Sequence, residues 1–423
     1  MQPMNPLLPA SVYVPDAEAR VWDDGRLYLY GSLDIAGDTF YCSPRYRVYS
    51  SANLETWTDH GISFEAANSH QPWMERLFAP DCVFAGGKYR LFYCGNTSAE
   101  GVASSTQPHG PFTDPRPIAG ADGDSIDPAV LVDEDGAAYL FWGQFHLRAA
   151  RLRNSWDAID PETFRPGLLT ESRDGFHEGA SIRKINGIYY LVYTDTSRGK
   201  ATCLAYATSR HPLGPYEKQG ILIDNDGCDP DTWNNHGSIC QFQGRWLVFY
   251  HRSSHNNRHN RRVCAEPLVL GPDGRFAEAE MTTQGASGPL DPRNTTEAWR
   301  ACRLERAAHT RPLAVPVSGA GEALVFLQQG SSAAFKYFDF PAGLGHFQAT
   351  ASSATQGGRL EIRLDSPSGP KIADCPILPT GSWDQWRTFT APLLLPSPGR
   401  HALWLKCHGP LGRPFDLLSF SFT

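Results

Sequence analysis

Short apolar runs, each turned back on itself by a glycine, recur through the first two thirds of the chain. The copies are DGRLYLYGS (24–32), GGKYRLFYC (86–94), DGAAYLFWG (135–143), NGIYYLVYT (186–194) and QGRWLVFYH (243–251). Each turn follows another apolar run, such as AVLVD (129–133) or SICQF (238–242). Apolar run, tight glycine turn, apolar run is the pattern of a β-hairpin. The turn glycines are Gly25, Gly87, Gly136, Gly187 and Gly244, in steps of 62, 49, 51 and 57 residues. Hairpin repeats near 50 residues predict propeller blades, here five of them. No helical pattern of comparable length competes.

The segment SGPLDPRNTT (287–296) interrupts the repeat. The pattern beyond it is still β: ALVFLQQ, AAFKYFDF, RLEIRLDS, WRTFTAPL and HALWLKCHG, ending in FDLLSFSF. Short strands separated by turn residues predict a β-sandwich. The expected fold is therefore all-β: a five-bladed β-propeller over residues 1–290, then a jelly-roll-like β-sandwich over 291–423.

Composition narrows the function. The 11 Trp, 16 Tyr and 22 Phe suit sheet interiors, and some suit flat platforms for sugar rings. The net charge of −7 excludes a nucleic-acid partner, and the only basic run is Arg258, Arg261 and Arg262. No stretch reaches the roughly 18 apolar residues of a membrane span, so no membrane partner is expected. The start MQPMNPLLPASVYVPD has neither a basic nor an apolar leader region, and the ten cysteines form no CxxC pair. Both features suit reduced thiols in a cytoplasm, and the second argues against a zinc site.

Candidate chemistry sits upstream of the turn glycines. Asp16, Asp127 and Glu178 each lie nine residues before theirs; His236 lies eight before, and Asp81 six before. Each is expected at or just before the start of its blade's first strand. In a propeller those strands line the channel, so matching registers converge at one face. One such acid reads as a turn cap. Three at one offset read as a pocket, because clustered carboxylates repel and need a use. Glycoside hydrolysis supplies it: one carboxyl protonates the leaving oxygen, an ionised one activates water, and a third tunes the donor.

The segments 14–34 (VPDAEARVWDDGRLYLYGSLD), 50–61 (SSANLETWTDHG), 78–94 (FAPDCVFAGGKYRLFYC), 125–143 (SIDPAVLVDEDGAAYLFWG), 177–195 (HEGASIRKINGIYYLVYTD) and 234–251 (NNHGSICQFQGRWLVFYH) resemble glycoside hydrolase family 43. The resemblance implies that Asp16 is the general base, Asp127 the residue that tunes and orients the donor, and Glu178 the general acid of an inverting enzyme. The chain has Asp16-Ala17 where many members have Asp-Pro. His236 matches an axial histidine beside a calcium ion or water in the channel; otherwise it is a hydrogen-bonded structural residue. No cofactor is implied for the chemistry itself. Arg261 matches an arginine that reaches the active site, against the alternative of a surface residue. Trp73 and Phe78 are candidates for the sugar platform or for blade packing. Trp233 is a further candidate for substrate contact, and so is His251 at a strand end.

His251, His255 and His259 repeat every four residues, as in a helical metal site, but HRSSHNNRHNRR has no apolar face. It reads as an active-site loop. In the C-terminal part, QQGSSAAFKYFDF (328–340), LDSPSGPKIADCPI (364–377), TGSWDQWRTFTAPL (380–393) and RPFDLLSFSF (413–422) resemble carbohydrate-binding module family 6. Trp383 and Tyr337 are its candidate stacking residues, with core packing the alternative for Tyr337; the domain could also serve only as a brace. The expected function is an inverting glycosidase that releases pentose from plant-type oligosaccharides or polysaccharides. An α-L-arabinofuranosidase is favoured by resemblance, with a β-D-xylosidase, a bifunctional enzyme or a non-catalytic sugar-binding propeller as alternatives.

Overall fold

The computed structural model describes residues 2–123, 125–317, 320–394 and 397–423. Five antiparallel sheets follow one another along the chain, each starting with one of the expected hairpins. Blade 1 comprises Glu18–Val21, Leu27–Gly31, Arg45–Ser51 and Thr58–Glu65; blade 2 comprises Asp81–Ala85, Lys88–Tyr93, Ala99–Ser105 and Thr113–Asp122. Blade 3 has three strands, Ala129–Val132, Ala138–Trp142 and Arg148–Arg151. Blade 4 comprises Phe176–Ile185, Ile188–Asp195, Cys203–Ser209 and Glu217–Asp224, and blade 5 Ser238–Phe242, Arg245–Ser254 and Asn257–Leu268.

The turns behave as their residues require. Asn186-Gly187 and Gln243-Gly244 both have positive φ at each position (50° and 79°, 51° and 75°). That is the two-residue turn whose twist matches the flanking strands, and glycine adopts it without strain.

Polar contacts between the first strands close the ring. Ser238 Oγ of blade 5 donates to Ala17 O (2.9 Å) and accepts from Ala19 N (3.0 Å). Arg20 of blade 1 donates to both carboxylate oxygens of Asp81 in blade 2 (2.8 Å each), and Asp81 accepts from Val130 N of blade 3 (2.7 Å). Glu18 of blade 1 pairs with Arg183 of blade 4, and Lys184 of blade 4 pairs with Asp133 of blade 3 (2.7 Å). Asp81 thereby joins three blades. The N-terminal segment covers the open edge of blade 5: Leu7 N donates to Val263 O (3.0 Å), and the buried Asn5 amide bonds both N and O of Ala265 (2.9 and 3.1 Å). Apolar faces fill the spaces between blades, as where Tyr28, Tyr46, Met74 and Tyr93 pack between blades 1 and 2. Each such side chain contributes about 1.5–3 kcal/mol when fully buried.

The C-terminal part is a two-sheet sandwich. One sheet runs Ala308–Val317, Ala320–Phe326, Asp416–Phe422, His346–Ser352, Arg387–Pro392, with Thr296–Glu297 also on Asp416–Phe422. The other runs Arg303–Glu305, Ser332–Phe340, Gly399–His408, Gly358–Leu364, Lys371–Ile377. Phe335, Phe338, Phe340, Phe347, Phe420 and Phe422 face inward from both sheets to form its core. Strand Ala308–Val317 was hidden in the sequence by Pro312 and Pro316; it lies at a sheet edge, where a missing N–H is tolerated.

The two parts share a packed boundary. Ala334 and Trp404 of the sandwich join the cluster of Tyr190, Tyr206 and Tyr250. Leu304 N donates to Gly227 O (2.8 Å), and Leu290 N to Tyr337 O (2.8 Å). All ten cysteines are buried free thiols. Among the described residues, no helix is long and apolar enough to cross a membrane.

Candidate active site

The starts of the first strands and the ends of the second strands meet at one face, because each hairpin brings its chain back to where it began. A cavity of ≈ 290 Å³ opens there, and Asp16, Asp127 and Glu178 all line it. That is at the small end of ligand pockets, which span about 300–1,000 Å³. The three acids are 5%, 5% and 8% exposed, so each meets the cavity through little more than its carboxyl tip.

Backbone geometry aims them. Asp16 and Asp127 have φ of 55° and 59°, an uncommon region that Asp tolerates better than most residues. Such strain persists where the surrounding structure enforces it, often at functional sites. Glu178 reaches the same cavity differently. It lies inside its strand, not before it, paired with Thr194 between two register shifts. The bulge redirects its side chain. The next residue, Gly179, has φ of 71°, and a Cβ there would come within 3.1 Å of the His236 ring.

The surroundings of the acids differ. Asp16 Oδ1 accepts from Arg261 Nη1 (2.9 Å), and Oδ2 accepts from Ser32 Oγ (2.7 Å). His251 Nδ1 stands 3.4 Å from the same carboxylate, and His236 Nδ1 3.9 Å. Burial opposes ionisation of Asp16, but Arg261 and the two imidazoles outweigh it and hold the carboxyl well below its usual range. Asp127 has no such cation. Burial, then the nearby charges of Glu178 and Asp16, push it well above the usual range. Its His236 neighbour, 3.7 Å away, is itself pushed down by burial. Glu178 accepts from Gln144 Nε2 (2.8 Å) and Asn234 Nδ2 (3.2 Å), one on each oxygen.

Arg261 is 2% exposed, which rules out the surface reading. It is fixed by Asp34, which accepts from its N (3.0 Å), Nε (3.0 Å) and Nη2 (2.9 Å). Its guanidinium lies 4.7 Å from the Tyr41 ring centre. Phe78 and His236 also line the cavity. Three candidates do not. Trp73 is 71% exposed while its neighbour Met74 takes the buried place in the blade. Trp233 is 41% exposed and faces the Arg258 guanidinium, 5.6 Å from its ring centre. His251 is buried, with Nε2 on Asn234 O (3.0 Å) and Nδ1 turned to the Asp16 carboxylate (3.4 Å). The histidine-rich run is a paired hairpin, not a loop or helix: Arg252 pairs with Arg262, and the chain turns at His255 and Asn256.

Asp34, Ser32, Gln144, Asn234 and Tyr41 were missed by sequence reasoning. Ser32 and Gln144 had a signal, since each follows closely on the second strand of its hairpin and so returns to the pocket face. Cys94 (blade 2), whose Sγ accepts from Asp127 N (3.2 Å), obeys the same rule. Glu100 had no signal. It is buried near Asp127 with no hydrogen bond to either carboxyl oxygen, and burial pushes it well above the usual range.

The channel does not fit a calcium ion held by protein carboxylates. Calcium takes several oxygen ligands, whereas His236 offers nitrogen. The channel acids Glu18 and Asp81 are already paired with Arg183 and Arg20. Among the described residues, no group of three or more His, Cys, Asp or Glu is arranged to hold a metal. Positive charge in the channel comes instead from two arginines.

The sandwich aromatics are also occupied. Arg413 lies 3.9 Å over the Trp383 ring, and Arg400 4.3 Å over Tyr337, whose hydroxyl donates to Glu280 (2.6 Å).

Residues 4–276 match the family model "Glycosyl hydrolases family 43", and residues 309–423 match "Carbohydrate binding module (family 6)". A xylosidase/arabinosidase of Thermoclostridium stercorarium is 27% identical over 96% of this chain and 96% of its own length. The crystal structure of a family 43 arabinoxylan arabinofuranohydrolase from Bacillus subtilis, in complex with cellotetraose, superposes with a TM-score of 0.57 at 25% identity, covering 99% of this chain and 97% of that one. A β-xylosidase/α-arabinofuranosidase from a compost microbial metagenome, in a calcium-free form with xylotriose, gives a TM-score of 0.57 at 29% identity over 66% of this chain and 97% of that one.

Proposed function

The chain belongs to glycosyl hydrolase family 43, and from that premise we propose an inverting exo-glycosidase that removes terminal pentose units, chiefly α-L-arabinofuranose, with β-D-xylosides accepted in the same pocket. The observation that carries this reading is the unequal treatment of three converging carboxyls. Asp16 is kept ionised by Arg261 and serves as general base on a water molecule. Glu178, oriented through both oxygens by Gln144 and Asn234, delivers its proton to the leaving oxygen. Asp127, made resistant to ionisation by burial and by both other acids, adjusts the donor's charge and position. This division of labour inverts the anomeric centre in one displacement and needs no metal or redox group.

The small cavity supports exo action, since it suits one or two sugar rings and not a long chain. The relatives named for both xylosidase and arabinosidase activity support the dual substrate reading. Turnover of the 4-nitrophenyl α-L-arabinofuranoside and β-D-xyloside tests it. The expected result is hydrolysis of both, faster for the arabinofuranoside, with Glu178→Gln reducing both by about 10²–10⁴-fold. No turnover of either glycoside, or full activity in Glu178→Gln, overturns the proposal.

A further inference from the structure

Arg261 and Arg262 are consecutive on strand Asn257–Leu268, so their side chains leave it on opposite faces. Arg261 turns to the pocket and holds Asp16. Arg262 turns to the domain boundary, where it lies between the rings of Tyr13 (4.5 Å) and Trp299 (5.1 Å), donates to Ala10 O (2.8 Å) and pairs with Glu322. Glu322 belongs to the sandwich strand Ala320–Phe326 and is 1% exposed. One of its oxygens accepts from Arg262, from Tyr13 Oη (3.0 Å) and from His255 Nε2 (2.7 Å).

His255 stands at the tip of the same hairpin, and its N donates to Thr310 Oγ1 of the sandwich (3.2 Å). Its other ring nitrogen contacts Asn260 Nδ2 (3.2 Å). Asn260 Oδ1 in turn accepts from Gly37 N (3.0 Å), and Asn257 Nδ2 donates to Asp38 O (3.1 Å). Residues 34–42, which carry the pocket wall Phe40, Tyr41 and Cys42, therefore rest on a hairpin whose tip is held by the second domain.

We propose that Glu322 is a positioning residue for the active site: by clamping His255 and Arg262 it sets the hairpin from which Arg261 holds Asp16 and on which the pocket wall rests. The sandwich is then a working part of the catalytic centre. The arginine-covered faces of Trp383 and Tyr337 agree with that role. The proposal rests on Asp16 acting as the base.

Full-length Glu322→Gln tests it, with Ile362→Val in the sandwich core as a control for general destabilisation. Glu322→Gln is expected to lower kcat about tenfold with little change in KM, since small misplacements of catalytic groups cost rate. Ile362→Val is expected to keep wild-type kcat. Hydrogen exchange across residues 34–42 should quicken in Glu322→Gln whether or not a glycoside is turned over. Should Glu322→Gln not fold, His255→Leu breaks one clamp and is expected to show the same two effects. Wild-type kcat in a folded clamp variant, an equal loss in Ile362→Val, or unchanged exchange in 34–42 overturns the proposal. Wild-type enzyme inactive on both pentosides counts against the proposed function instead, and the exchange measurement then decides the clamp.

Discussion

Two sets of buried carboxylates occupy the propeller axis, and they meet opposite fates. Asp16 and Glu18 are two residues apart at the start of one strand. Asp16 opens on the cavity, while Glu18 lies deeper and pairs with Arg183 and Arg20. Asp81 is likewise closed off by Arg20. In the channel, the guanidiniums lie directly on the carboxylates that would otherwise repel. In the pocket, among the described residues, Arg261 bonds Asp16 but not Asp127, and Glu178 is held by neutral amides. Carboxylates become chemistry where the neighbouring charge is incomplete, and become structure where it is matched.

The sharpest way to break that comparison is to remove one acid from each set. Asp16→Asn should reduce kcat by about 10²–10⁴-fold while thermal unfolding stays close to wild type, because the lost group acts in the transition state. Asp81→Asn should do the reverse. It leaves the partly buried Arg20 with only Glu18, which Arg183 also claims, and breaking such a pair costs about 3–5 kcal/mol. A large drop in unfolding temperature with near-normal kcat in the folded protein is the expected outcome, and a catalytic loss like that of Asp16→Asn would erase the distinction.

Arg261→Gln probes the cation that holds Asp16. Removing it disfavours the Asp16 carboxylate, so that group's pKa rises from its depressed value. The base must be ionised, so the acid limb of the pH–kcat/KM profile should move up by about one pH unit or more. A limb that stays in place would mean Arg261 does not set the ionisation of Asp16. The smallest effect is expected from a chelator. With the channel charge supplied by Arg20 and Arg183, EDTA should leave activity and unfolding temperature unchanged, and a clear loss would show that an ion is held there after all.

Much of the pocket was legible because its signals are local. The nine-residue offset from acid to turn glycine marked Asp16, Asp127 and Glu178, since strand length ties each acid to its own hairpin turn. The offset did not reveal that Glu178 reaches the cavity from a bulge within its strand, for a bulge depends on pairing with the next strand. Trp73 and Trp233 misled for a related reason. Aromatic character near a motif does not say which face a side chain takes, and both face outward.

The amino-acid sequence by itself determined the blades, most of the sandwich strands and the register of the three acids, because alternation, turn glycines and residue type act over a few neighbouring residues. Only the tertiary structure decided what each charge does. Arg261 meets Asp16 from 245 positions away, and Arg262 meets Glu322 from 60 positions away. Which of two adjacent arginines faces the pocket, and whether an acid is matched or left reachable, follow from how five blades and a second domain close on one another, and no local pattern carries that information.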